Sequence, residues 1–184
     1  MPEVSRSRRR MAAGSWCVAA PREPIRSLAM TATGDAAELL DMINGAMEAT
    51  IPLAHKIGLR VVEAARGHAA VTVPAEGNGN HFGVVYAGAQ FTAAEILGGI
   101  IGLTTFDRAK YFPLVKNVDI KFVGMARSEL RAEASLDDDV IARVEAEAAK
   151  KGKADFDLEA VVTDADGQMV ATTRGLYQLR AYGL

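Results

Sequence analysis

The chain carries one cysteine, Cys17, in 184 residues. A single thiol closes no internal disulfide, so the fold must stand on packing alone, and this usage fits a reducing compartment such as the cytoplasm. An excess of charge of one sign is also missing: 21 Lys and Arg stand against 23 Asp and Glu, a formal net charge of -2. That balance offers no field to nucleic acid or to an anionic membrane, and neither is expected as a partner. His55, His68 and His81 have no mutual spacing suited to a metal, so no metal site is expected. G-x-S-x-G and Walker patterns are absent, and no Cys-His pair stands in the patterned part, which removes common signatures of serine hydrolases, P-loop nucleotide binding and thiol catalysis. There is no internal repeat and no low-complexity segment.

What remains is one domain's worth of chain, 49% hydrophobic and 24% charged, enough to bury a single core. The first thirty residues differ in kind from the rest. They hold Arg6, Arg8, Arg9 and Arg10, three prolines and no amphipathic period. Ser7-Arg8-Arg9 resembles the start of an export signal, but the apolar run behind it is short, contains Gly14 and Ser15, and meets Pro21. We therefore expect residues 1–33 to be a disordered or processed tail, with Met30 a second candidate start, and residues 34–184 to be the domain.

Leu39, Leu40, Ile43, Met47 and Ile51 recur at helical spacing from Asp35 to Thr50, and Pro52 ends or kinks that helix. Gly58 to Ala64 and His68 to Pro74 read as strands joined at Arg66-Gly67. Leu114 to Val123 alternates, with Val118, Ile120 and Phe122 on one face and Asn117, Asp119 and Lys121 on the other; Leu130, Ala132, Ala134 and Leu136 alternate likewise. Asp138 to Lys151 has acids at its start, lysines at its end and Gly152 beyond, as a helix dipole and C-cap prefer. Two last strands, Ala154 to Thr163 and Gln168 to Tyr182, meet at Asp164-Ala165-Asp166-Gly167, a hairpin turn rather than a calcium loop, which needs more ligands at fixed offsets.

Between the two strand groups lies GNGNHFGVVYAGAQFTAAEILGGIIGL, Gly77 to Leu103, with Glu95 its one carboxylate. The part from Tyr86 to Phe106 is apolar nearly all round, as a buried helix is. Gly88, Gly98, Gly99 and Gly102 each cost about 1 kcal/mol of helix propensity against Ala, and in return let the helix lie close against a curved sheet. A membrane span has the right length but not the right flanks: Glu95, Gln90 and the neighbouring strands argue against it. The order of elements gives an α+β layer architecture, one helix crossing one sheet face. Glu95 in such a helix either faces a gap in the sheet's cover or is buried at a cost of several kcal/mol unless paired, and a raised pKa is expected in both cases. By itself it could be an interface carboxylate. The free N–H groups of a helix N-terminus opening at Tyr86-Ala87-Gly88 add an oxyanion site to a base, which is a hydrolytic arrangement.

Asn80, Gly83, Tyr86, Ala87, Gly88 and Glu95 together resemble the motif of hotdog-fold acyl-CoA thioesterases of the phenylacetyl-CoA type, and NVDIKFVGMARSELRAEASL resembles that family's strand pair after the helix. The resemblance spans roughly Leu53 to Leu179. It implies an antiparallel sheet wrapped around the central helix, dimers or dimers of dimers, and hydrolysis of an acyl-CoA thioester with no metal or organic cofactor, coenzyme A entering only as part of the substrate. By the same resemblance Glu95 is the base or nucleophile, Asn80 orients water or thioester, and the N–H groups of Ala87 and Gly88 polarise the carbonyl. Gly83, His81 and Tyr86 then border the substrate. Tyr86 stands where the family often has His, and Ala87 where it has Gly. A further polar residue is expected on the strand after the helix, with Lys116, on that strand's otherwise apolar face, and Asn117 as candidates. Two alternatives stay open. His81 and Glu95 are separated as in hotdog β-hydroxyacyl thioester dehydratases, although no proline lies between Pro74 and Pro113 as those sequences would have. A non-catalytic acyl-CoA-binding hotdog protein would be marked by Tyr86 and Ala87.

Overall fold

The computed structural model describes residues 35–183, so the expectations for the tail lie outside the described residues. Helix α1 (Asp35–Thr50) ends before Ile51, and Pro52 starts a new single turn, α2 (Pro52–Lys56), at the position where its missing N–H costs nothing. Strands β1 (Arg60–Ala65) and β2 (His68–Val73) form a hairpin through Gly67, whose φ of +71° is the left-handed conformation that the turn requires. Helix α3 (Ala87–Thr105) follows, then β3 (Tyr111–Phe122), β4 (Leu130–Ser135), α4 (Asp138–Lys151), β5 (Lys153–Thr163) and β6 (Met169–Ala181).

The six strands make one antiparallel sheet in the order β1-β2-β4-β5-β6-β3, and α3 packs against all six. This is the α+β architecture that the order of elements led us to expect, in the hotdog form that the resemblance implied. The core is where the strand alternation meets the helix: Val71, Val73, Leu130, Ala132, Phe156 and Leu179 are buried against Ala93, Leu97 and Ile101. Helix α4 closes one end with Ile141, Val144 and Ala148 buried, and Gly152 caps it at φ +71°. The hairpin between β5 and β6 turns as expected, with Asp164 Oδ1 accepting from the N–H groups of Asp166 and Gln168.

Edge strand β1 is protected by a side chain. Asn44 on α1 accepts from the N–H of Val61 at 2.8 Å and donates to its carbonyl at 2.9 Å, so both backbone groups are satisfied beside a register shift between Val61 and Glu63. The opposite edge, β3, has no such cover among the described residues, and Leu114 and Val115 on it are exposed.

The glycines of α3 divide into two groups. A Cβ at Gly98 would stand 2.1 Å from the Tyr177 ring, and one at Gly102 2.6 Å from Pro113, so these two permit the close approach of helix to sheet. Gly99 meets nothing within 4 Å, and a Cβ at Gly88 would meet the ring of Tyr86 rather than the sheet. The expectation of closeness at all four therefore holds for two. Gly98→Ala should lower stability by about 1–3 kcal/mol, the cost of overpacking a filled core, as read by chemical denaturation. Gly99→Ala, facing open space in a helix interior, should be neutral or stabilising in the same assay.

Candidate active site

The site is built from a loop and the helix that it launches. Asn78 is buried and donates through Nδ2 to the carbonyls of Ile57 at 2.7 Å and Pro74 at 2.8 Å, while its own carbonyl accepts from Tyr86 N–H. This ties the loop's ends together. Asn80 shapes the tip: its Oδ1 accepts from Phe82 N–H at 2.9 Å and, more weakly, from Val84 N–H at 3.4 Å. Its carbonyl accepts from Gly83 N–H at 3.0 Å, and Gly83 sits at φ +71°. The Asn-x-x-Gly spacing is thus a turn requirement, with the carboxamide oxygen committed to backbone and Nδ2 without a partner among the described residues. Gly83 serves the turn; it is exposed, with open space around it.

Tyr86 is the N-cap of α3, with extended backbone at φ -61° and ψ 140°. Its carbonyl accepts from Ala89 and Gln90, and the N–H groups of Ala87 and Gly88 meet no acceptor among the described residues. These are two orphan donors at the positive end of a 19-residue helix. Ala87 is the first helical residue, where φ is negative, so Ala in place of Gly keeps its donor aimed along the axis. The ring of Tyr86, more than half exposed, lies across Gly88, where a Cβ would come within 2.5 Å of it. Gln90 is buried and donates to the carbonyl of Val85 at 3.0 Å, and its Oε1 has no partner.

Glu95 lies on a stripe of α3 that the sheet leaves uncovered, with Gly88, Phe91, Thr92, Gly99 and Leu103 at helical spacing. It is half-buried, and burial pushes its carboxyl above the usual glutamate range. No hydrogen bond or ion pair reaches the carboxylate among the described residues; Tyr177 Oη donates instead to the Glu95 main-chain carbonyl at 2.9 Å. Seven to eight residues separate Glu95 from the free N–H groups, about 10–12 Å along the axis. A cleft of about 380 Å³ opens beside the N-terminus of α3, lined by Leu53, Ile57, Tyr86, Gly88, Phe91 and Thr92 among others. A second, about 400 Å³, lies between α1 and β1 around Asp41, Asn44, His55 and Arg60, away from Glu95.

The remaining candidates fall elsewhere in the chain. His81 is exposed in the loop with its ring 3.9 Å from that of Phe82, and no interaction joins it to Glu95. Lys116 does not lie on the apolar face of β3 as its alternation suggested. A bulge between Val115 and Asn117 shifts the register there, and Lys116 pairs at 2.6 Å with Asp155, which alternates with buried Ala154 and Phe156 and so faces away from α3. Asn117 bonds Asp119 at 2.8 Å on the strand itself. Asn78, Gln90 and Tyr177 were not anticipated. Asn78 could have been suspected from the Asn-Gly-Asn run; Tyr177 could not, because its partner is 82 residues away. No group of three or more His, Cys, Asp and Glu residues among the described residues is placed to hold a metal, and no helix there is long and apolar enough to cross a membrane.

Residues 41–177 match the family described as a domain of unknown function, DUF4442. Among solved structures, the Pseudomonas aeruginosa protein PA5026, described as of unknown function and a probable thioesterase, is 40% identical over 79% of this chain and 96% of its own, with a TM-score of 0.72. Thioesterase PA1618 from Pseudomonas aeruginosa, in a mutant form, is 17% identical over 77% of this chain and 94% of its own (TM-score 0.62). Thioesterase HI1161 from Haemophilus influenzae is 13% identical over 79% and 92% (TM-score 0.63). These last two show the fold alone. A search of curated proteins found no match. With three quarters of its length matched and a 40%-identical relative of the same fold, the chain belongs to the DUF4442 family, and its fold is the hotdog.

Proposed function

We propose that the protein is a thioesterase, and more closely an acyl-CoA thioesterase in which Glu95 acts as general base. The observation that carries this reading is an unpartnered, half-buried carboxylate on the same uncovered stripe as two free helix N-terminal donors. The 40%-identical relative, described as a probable thioesterase, supports it. In the reaction the carboxylate takes a proton from water, and the water oxygen attacks the thioester carbonyl carbon. The oxyanion that forms is held by the N–H groups of Ala87 and Gly88. The C–S bond then breaks, the thiolate leaves with the proton from Glu95, and a carboxylic acid and free thiol result.

One carbonyl cannot touch both ends of a separation of about 10–12 Å, even though a glutamate side chain leans toward its helix N-terminus. We therefore assign each site to two protomers, with two α3 stripes antiparallel across a two-fold axis so that Glu95 of one copy meets the N-terminus of the other. Exposed Phe91 and Leu103 flank Glu95 on the stripe, and the uncovered β3 edge is adjacent to it, which gives such a contact apolar area. Thioester hydrolysis by this route needs no metal or organic cofactor.

A panel of acyl-CoAs of rising length and aromatic character, with crotonyl- and hydroxybutyryl-CoA included, tests the reading. Free-thiol release above the uncatalysed rate is the expected result. Interconversion of crotonyl- and hydroxybutyryl-CoA without thiol release would replace it with dehydratase chemistry, and binding without turnover would make the protein an acyl-CoA-binding one.

A further inference from the structure

Tyr177 stands on the inner face of β6, almost wholly buried, in a slot that the sequence has cleared on both sides. A Cβ at Gly98 would lie 2.1 Å from its Cε1, and a Cβ at Gly175 would lie 2.4 Å from its Cε2. Each edge of the ring therefore fits only against a glycine. Phe156 stacks on it with centroids 5.6 Å apart and planes 18° from parallel. A ring held this way has one place to put its hydroxyl, and that place is the carbonyl of Glu95, at 2.9 Å.

A buried phenol needs an acceptor, and any carbonyl of α3 would have satisfied it. The one selected belongs to the residue with the unpartnered carboxylate. The phenol also lies close enough to that carboxylate for its charge to push the tyrosine hydroxyl up, after burial, which is the larger cause. Burial is the cause of the raised Glu95 carboxyl, and among the described residues no cation from the other strands reaches it. Had the hydroxyl donated to the carboxylate, it would have favoured the charged form and weakened the base. Donating to the backbone holds the turn in place and leaves the carboxylate free.

We infer that Tyr177 is a positioning residue for hydrolysis: clamped between Gly98 and Gly175, its hydroxyl fixes the turn of α3 that aims Glu95 at the thioester. The inference rests on the reading of Glu95 as general base. It assigns the two glycines a part in catalysis through Tyr177, since they make the slot that locates it.

The test is Tyr177→Phe in the full chain, which keeps the ring and removes one oxygen. Turnover and KM are measured on the best substrate of the panel across pH, with the Glu95 carboxyl titrated by carbon NMR. A base displaced by a fraction of an ångström should lose about tenfold in kcat, while KM stays within about twofold because substrate contacts are untouched. The acid limb of kcat and the Glu95 carboxyl titration should move together to lower pH, because a released turn admits water to a carboxyl that burial holds high. A lowered Tm with kcat, acid limb and carboxyl titration unchanged would reduce Tyr177 to a packing residue and overturn the inference. Should Glu95→Gln retain turnover, the base assignment itself falls and the inference with it. Loss of turnover in Glu95→Gln beside an unaltered Tyr177→Phe refutes the positioning role alone.

Discussion

Glu95→Gln is expected to fold and to lose about 10²- to 10⁴-fold in turnover, the range for removing a general base. The amide is nearly isosteric with the carboxyl but cannot take a proton from water. Stability should move the other way. The folded-state pKa of Glu95 is raised, with burial as its cause, so between the unfolded and folded values the folded chain holds the proton more tightly than the unfolded one. Stability therefore falls as pH rises through that window, and above it the ionised carboxylate is a standing cost. Gln carries no charge, so the variant's Tm should exceed the wild type's at pH 8 and converge with it near pH 4. In the wild type, kcat should decline as pH falls through the raised pKa, at higher pH than an ordinary glutamate would give. Thermal melts and rate profiles at the same set of pH values check both halves. A variant with near wild-type turnover would remove Glu95 from the chemistry.

Mixing two inactive variants, Asn80→Ala and Glu95→Ala, should restore about a quarter of wild-type activity after subunit exchange, by the symmetry of an isologous interface. The loop built on Asn80 and the N–H groups of Ala87 and Gly88 belong to one end of α3, and Glu95 to its middle. Asn80→Ala removes the acceptor of two loop N–H groups and so disturbs that end alone. In a mixed dimer with shared sites, one site carries both defects and the other neither. Random exchange puts half of the protein in mixed dimers, each with one working site. If both residues served the same site in cis, every site would be defective, and no activity would return after exchange shown by native mass spectrometry. The shared-site arrangement would then be wrong.

The bounds of α3 to within one residue at each end, helix α4 with Gly152 and the hairpin at Asp164 to Gly167 could all be read before the fold was known. Each depends on residues within a few positions of one another: a period, a cap, a dipole-matched charge or a turn glycine. Glu95 was legible for a related reason, because one carboxylate in an apolar helix is costly wherever the helix packs.

The sequence by itself determined which segments become helix and strand, and that a lone acid and a helix N-terminus share one element. Only the tertiary structure decided what those groups face. The bulge after Val115 turned Lys116 to the outer side of the sheet, where Asp155 holds it. Of four helix glycines, it put Gly98 and Gly102 against the sheet and left Gly99 open. It joined Tyr177 to the carbonyl of Glu95 across 82 residues, and Asn44 to Val61 across 17. Register, bulges and close approaches are set by the packing of distant segments summed over the whole core, and a one-residue slip reverses which face a strand residue presents. Local periodicity carries no record of that sum.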